Sequence, residues 1–557
     1  MKRILSILLA CAFVVSAAAC SNTTDSKDTT AATSTQDKET EKGEETTKDN
    51  ESKTNEPASE DGFPLVTEPT TLKVWGYNIP DLDLDSSLAN NWYEEKTGVT
   101  IEFDLFSNAD ANEAFNLMVA SQIYPDIIAG GFTTDRVNMS VEGGLIIPLN
   151  DYIEDSVGYK RVLEERPDFK DLLTAPDGNI YTFMYTDTGA HIQSQYKLWV
   201  YQDWLDDLDM EMPQTTEEYK EMLQAFVSTD LNNNGEADEL GLVGFRNDRY
   251  SDPLCFLMNP FELYHHDFHH ITDDGDIRFI ANTDGWREGL RYMNDLFESG
   301  LLLKETYIQD PAQFKSLSDR PKGETIVGSF SLWVNMIVDN TILEWTDYVA
   351  VPPLEGPSGL RQSAAAPSGR FGLCTAITTA CEEPELAFKW LDWFLTEEGT
   401  MFYHFGVENE TYTLEDKPSY LGTTPSITTI KTEKRELFDM SFFPYFDSRE
   451  VRYGVTEDES LRNIDNTYVL LSAAEAYEPY YKMHNLPELV WCDDTDLITK
   501  KADYQALFKN YIEASYTEFI LGTKDIDDDA QWESYKNELE AMGLEDYLST
   551  LKEYYNS

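Results

Sequence analysis

Thr71-Leu72-Lys73-Val74-Trp75-Gly76, Thr100-Ile101-Glu102-Phe103-Asp104-Leu105 and Pro125-Asp126-Ile127-Ile128-Ala129-Gly130-Gly131 decide the fold. The first reads as a strand stopped by glycine. The second alternates polar and apolar residues, the period of a strand with one covered face. The third is a short apolar run entering a glycine turn. Between them lie two helical patterns. Ser86 to Thr97 puts Leu88, Trp92 and Tyr93 on one face with Gly98 beyond its end, and about Ala109–Ser121 presents Phe115, Leu117, Met118 and Val119. Strand, helix, strand, helix, strand predicts an α/β protein with a parallel sheet. Ligands of such sheets bind beyond the carboxyl ends of the strands, which points to Trp75-Gly76-Tyr77-Asn78 and Ala129-Gly130-Gly131.

Further along, the pattern turns helical. Thr215 and Glu218 form a capping box ahead of Tyr219, Met222, Leu223 and Phe226. A second helix follows Thr283-Asp284, with Trp286, Leu290, Met293 and Phe297 in phase and Gly300 at its end. Near the C-terminus Trp532, Tyr535, Leu539 and Met542 share a face. There are no internal repeats.

The N-terminus predicts the compartment. Met1-Lys2-Arg3, an apolar run from Ile4 to Val15 and small residues up to Ala19 make a secretory signal, too short to span a bilayer comfortably. Cys20 after that small-residue run resembles the lipobox of bacterial lipoproteins, in which the cysteine carries acyl chains. Residues 1–20 are therefore read as signal and lipobox. Residues 21–61, almost wholly polar, are read as a disordered leash.

Composition bounds the remainder. There are 42 basic and 103 acidic residues, a formal charge of −61, which excludes nucleic acid and anionic lipid surfaces as partners. With 31 Tyr, 28 Phe and 11 Trp, the chain has material for large cores and for flat apolar binding platforms. Cys255, Cys374, Cys381 and Cys492 are too widely spaced for a disulfide framework; a bridge or free buried thiols both remain open.

Two patterns bear on metals. In Asp230-Leu231-Asn232-Asn233-Asn234-Gly235-Glu236-Ala237-Asp238-Glu239, oxygen side chains fall at positions 1, 3, 5 and 9 around a glycine at 6, as in the first part of an EF-hand loop. Asp230, Asn232, Asn234 and Asp238 are the candidate Ca2+ ligands, with the Glu236 carbonyl. Position 12 is Gly241, so Glu239 must replace the usual bidentate glutamate. Remote in sequence from the cleft candidates, the site reads as a structural brace; an Asx-rich turn is the alternative. In His265-His266-Asp267-Phe268-His269-His270, His265 and His269 would chelate zinc if helical; otherwise the run is an exposed loop.

The lipobox, the leash, Glu95-Lys96-Thr97-Gly98-Val99, Tyr124-Pro125-Asp126-Ile127-Ile128, Pro176-Asp177-Gly178-Asn179-Ile180-Tyr181, Asp203-Trp204-Leu205 and Glu397-Glu398-Gly399, in this order, resemble a bacterial extracellular solute-binding lipoprotein. The resemblance is to family 1 of ABC importers, in the long oligosaccharide-type subgroup of alginate-binding and LplA-like lipoproteins. It covers nearly all of residues 65–555. It implies a two-lobed periplasmic-binding-protein fold of type II-like design, with hinge crossovers and a central ligand cleft. The expected division is 62–190 for the first part of lobe 1 and 191–345 for lobe 2 with the calcium loop. Residues 346–557 are shared between the lobes. The family's calcium ligands match Asp230, Asn232, Asn234, Glu236, Asp238 and Glu239.

The implied function is capture of a carbohydrate and delivery to ABC permease subunits, without catalysis. The protein is expected to be a monomer outside the cytoplasm, held to the cell membrane only by its lipid. Sugar rings have apolar faces and polar rims, so aromatic platforms and polar side chains suit them. The platform candidates are Trp75, Tyr77 and Trp333; the hydrogen-bonding candidates are Asn78, Asp126 and Arg370. A binding protein for a peptide or another non-sugar solute, and a secreted glycosidase, are the alternatives. No nucleophile elbow or HExxH signature supports the latter.

Overall fold

The computed structural model describes residues 62–78, 87–107, 111–246, 250–318, 320–333, 345–366, 370–430, 443–448, 451, 453–456, 467–487 and 489–557. All of these lie in one compact unit, Asn55–Ser557. The signal, Cys20 and the leash fall outside the described residues, and Tyr77 and Asn78 are described by backbone alone. Among the described residues no helix is long and apolar enough to cross a membrane.

Thr70–Asn78 pairs in parallel with Val99–Ser107 on one side and with Ile127–Ala129 on the other. The intervening helix Leu88–Thr97 is set by local chemistry. Ser87 Oγ accepts from the Asn90 N–H at 3.1 Å, and Gly98 closes the helix at φ 74°. A Cβ at Gly98 would lie 2.8 Å from the Val66 carbonyl, so only glycine fits that stop. The sheet then departs from a purely parallel design. Arg370–Ile377, more than two hundred residues later, inserts antiparallel between Ile127–Ala129 and Phe183–Asp187, and Tyr445–Asp447 takes the far edge.

A second, four-stranded sheet has the spatial order Tyr348–Val351, Leu198–Tyr201, Val327–Ser331, Leu240–Val243. Each sheet has its own core. The first gathers side chains from Val66 to Met184 and from Phe371 to Phe446; the second gathers Tyr196 to Leu354 and Val469 to Leu551. The described chain passes between the cores at 188–197 and 352–366, and leaves the first core after Asp447. Two of these crossovers lie side by side: the Ala366 N–H donates to the Gln193 carbonyl at 2.8 Å, and the Ser194 and Ser363 hydroxyls meet at 2.6 Å. Ser363–Ala365 also pairs in parallel with Tyr481–Met483.

The capping box forms as read, with Thr215 and Glu218 each bonding the other's backbone. In the helix Asp284–Glu298 the buried stripe is Trp286, Leu290, Met293 and Leu296, so Phe297 sits at its margin. Among the described side chains of Ala111–Ser121, Phe115 and Met118 are the buried ones, while Leu117 and Val119 face solvent, one residue out of phase with the covered face. None of the four described cysteines forms a disulfide.

Candidate functional site

A groove of 840 Å³ is lined from both cores. On the first sheet, Tyr185 lies opposite Gly372 in the antiparallel pair. A Cβ at Gly372 would come within 2.5 Å of the Tyr185 ring, so the glycine makes room for that ring. Arg370, the first residue of its strand, places its guanidinium 5.0 Å from the Tyr185 ring centroid. Tyr185 stacks on Tyr445 at 5.7 Å, and Tyr445 on Tyr403 at 4.4 Å. From the second core, Trp333 lies two residues beyond Val327–Ser331. Its ring is 6.4 Å from that of Tyr250, which lies 6.2 Å from Tyr196. The groove therefore has aromatic faces on both sides.

The proposed ligand residues divide. Trp333 and Arg370 line this groove together. Trp75 does not: it is buried mid-strand, stacked on Phe106 at 4.1 Å and facing Phe115 at 6.3 Å, because its position in the strand's alternation points it under the covering helix. Asp126 is also elsewhere. It precedes its strand, so it lies at the amino end of the parallel sheet, where its Oδ2 accepts from the Lys73 N–H at 2.8 Å. Tyr77 and Asn78 end the first strand at its carboxyl end; their side chains lie outside the described ones. Tyr185, Tyr196 and Tyr250 were not singled out in sequence, since nothing local separates them from the other tyrosines.

The histidine run departs from both sequence readings. It is neither helical nor exposed: His265, His269 and His270 are buried, and His265 faces the groove. Its ring stacks on His484 at 4.2 Å and 24°. Burial pushes His265 and His269 down to about 4 and His484 to about 3, so these rings are neutral at physiological pH. Among the described residues no three His, Cys, Asp or Glu groups converge closely enough to hold a metal by themselves, so any site built on the 230–239 carboxylates needs that loop's Asn side chains and a backbone carbonyl to complete it.

In the 230–239 loop the side-chain oxygens accept from the loop's own N–H groups. Asp230 accepts from the Asn234 and Gly235 N–H groups at 3.1 and 3.0 Å. The Asn232 and Asn234 amides both donate to Asp238 Oδ1, at 3.1 and 3.0 Å. Glu239 is buried. Its Oε1 accepts from the Leu231 N–H at 2.8 Å, while its Oε2 has no hydrogen-bond partner. Among the described residues no lysine, arginine or histidine pairs with Asp230, Glu236, Asp238 or Glu239. A buried carboxylate oxygen left open beside Asp and Asn donors fits a hard, oxygen-seeking cation.

Comparison with known proteins supports the fold. The model of the bacterial extracellular solute-binding protein family matches residues 82–401. The fructooligosaccharide ABC transporter substrate-binding protein FusA of Streptococcus pneumoniae serotype 4 is 29% identical over 512 residues, covering 89% of this chain and 91% of its own length. The solved complex of S. pneumoniae FusA with kestose superposes with a TM-score of 0.71 at 27% identity, over 87% of this chain and 99% of that one. An EF-hand mutant of FusA in complex with fructo-nystose gives a TM-score of 0.70 at 27% identity, with the same coverage. The chain belongs to the bacterial extracellular solute-binding protein family.

Proposed function

We propose that this family member captures an oligosaccharide in the groove between its two sheets and delivers it to an ABC permease. The observation that carries the reading is a groove whose aromatic faces come from both cores: Tyr185 with Arg370 on one side, Tyr250 and Trp333 on the other. Aromatic rings offer the apolar platforms that sugar C–H faces need, and the polar rims meet side chains between them. FusA, which covers most of the chain, is a fructooligosaccharide-binding protein of an ABC transporter and supports the same reading. We assign Trp333 and Arg370 to the ligand site with Tyr185, Tyr196 and Tyr250, and retain Tyr77 and Asn78 as candidates at the strand's carboxyl end. The two sheets with their cores are read as two lobes that grip the ligand between them.

Ca2+ is assigned to the 230–239 loop, held by Asp230, Asn232, Asn234, Asp238, Glu239 and the Glu236 carbonyl. The open Glu239 Oε2 and the EF-hand of FusA support it. Its role is structural, since none of these residues lines the groove. Cys20 is assigned as the lipid anchor, placing a monomeric body outside the cytoplasm. The protein binds its sugar without cleaving it. Calorimetry against a glycan panel, with analysis of the recovered sugars, tests the whole reading. Saturable binding with intact glycan is expected; absence of binding to every glycan, or release of shorter sugars, overturns it.

A further inference from the structure

We propose that His265, Asp267 and His484 form a hydroxyl-recognising wall of the groove that selects uncharged sugar rings over uronates. The proposal rests on the carbohydrate reading and narrows its chemical class.

The wall is fixed from behind. Asn259 clamps the start of the histidine run, donating to the Tyr264 carbonyl at 3.0 Å and accepting from its N–H at 3.2 Å. The Tyr196 hydroxyl donates to the His265 carbonyl at 2.5 Å. His484 arrives from the strand beside the crossover, its N–H donating to the Ala365 carbonyl at 3.3 Å. The two imidazoles, stacked at 4.2 Å, come from segments more than two hundred residues apart.

Their hydrogen bonds assign the protons. His265 Nε2 lies 3.1 Å from the His269 carbonyl, which can only accept, so Nε2 carries the proton. Nδ1 is then a lone pair. It faces Asp267 Oδ2 at 3.7 Å, beyond hydrogen-bond reach. Asp267 is exposed to the groove, and an exposed aspartate is ionised at neutral pH. Two acceptors thus stand side by side and call for O–H donors. His484 is the complement. Its Nδ1 accepts from the Leu486 N–H at 3.2 Å, so its neutral ring carries the proton on Nε2. Adjacent hydroxyls on one sugar ring can donate to the Asp267–His265 pair and accept from His484. A carboxylate, which only accepts, would set its charge against Asp267.

The cations of the groove do not reverse this preference. Lys501 sits 4.0 Å over the Tyr554 ring; burial lowers its pKa, and the carboxylates of Asp135 and Asp267 balance its charge without undoing that. Arg370 lies against Tyr185. Asp135, Asp267, Lys501 and Arg370 sum to zero charge, whereas a uronate oligosaccharide brings one anion per ring to a chain of net charge −61.

The test is calorimetric titration of the whole protein with kestose, maltotriose and cellotriose against trigalacturonate and trimannuronate. At least one neutral trisaccharide is expected to bind about tenfold or more tightly than either uronate. In Asp267→Asn, whose exposed side chain leaves folding intact by melting curve, neutral binding should weaken about tenfold and the gap to the uronates should narrow. His484→Phe keeps the stack, loses the donor and should weaken neutral binding as well. A uronate binding as tightly as the best neutral sugar overturns the proposal and leaves the carbohydrate reading standing. So does unchanged neutral binding in both variants. No binding by any member of the panel overturns both.

Discussion

Lys197 offers a measurement in which one buried group sets the outcome. It lies on the first crossover, fully buried, and its ammonium donates to the carbonyls of His191 (2.7 Å) and Ser194. Among the described residues no carboxylate pairs with it, and burial pushes its pKa down to about 7. In the unfolded chain a lysine titrates near 10.4. Between these values the unfolded state binds more protons than the folded one, so stability rises with pH. The deficit is fully present below pH 7 and vanishes above the unfolded value. It amounts to about 4 kcal/mol at pH 7 and about 2 kcal/mol at pH 9, a gain of about 2 kcal/mol across that window. Lys197→Met removes the titration. It leaves two carbonyls without a donor, a cost of about 1–3 kcal/mol each that does not vary with pH. Other groups titrate alike in both proteins and cancel in the difference. Urea unfolding followed by tryptophan fluorescence at pH 7, 8 and 9 should show wild type gaining about 2 kcal/mol on the variant. Parallel pH profiles for the two proteins would refute the reasoning, because the amine would then be titrating as if solvated.

Three further outcomes are expected. Calcium at a hundredfold excess over its dissociation constant stabilises the native state by about 3 kcal/mol, so EDTA should lower the melting temperature of wild type by several degrees, and Glu239→Ala should abolish that response. Trp333→Ala and Arg370→Ala should each weaken sugar binding by about tenfold or more, read by calorimetry, with the EDTA response retained. Asp392 accepts from the N–H groups of Val157, Gly158 and Tyr159 at 3.0, 3.0 and 2.7 Å. Asp392→Ala should therefore cost about 2–3 kcal/mol in urea unfolding, with Asp392→Asn recovering part of the loss.

What was legible in the sequence was local. The helix Leu88–Thr97 carries its own start in Ser87 and its own stop in Gly98, and the capping box at Thr215 needs only four residues. The three parallel strands follow from alternation with helices over sixty residues. The strand Arg370–Ile377 was beyond that reach: its partners, Ile127–Ala129 and Phe183–Asp187, are chosen by contacts across hundreds of residues. Asp126 is a candidate on side-chain chemistry alone; the pairing of Ile127–Ala129 puts it at the amino end of the parallel strand, outside the groove lining. The polar look of the histidine run suggested exposure. What buries it comes from the far C-terminus: His269 Nε2 meets the Tyr555 hydroxyl at 2.9 Å and its ring lies edge-on to Tyr547. Hydropathy read along the chain contains no trace of such a partner.

The segment around Trp491 shows how the two cores are tied near the ligand as well as at the crossovers. Leu489 and Trp491 pack against the first core, while Val490 and Cys492 pack with Leu497 and Tyr554 at the C-terminal helices. Extended chain sends alternate side chains to opposite faces, so one short strap can hold both bodies. The Trp491 indole donates to the Leu172 carbonyl at 2.8 Å, and the Asn138 amide to the Cys492 carbonyl at 3.1 Å. Leu489 and Val490 also line the groove. Any change in spacing between the cores must therefore strain these contacts or carry the strap along. Each hydrogen bond contributes only about 1 kcal/mol net. A ligand held at micromolar affinity releases about 8 kcal/mol, enough to break both and still bind.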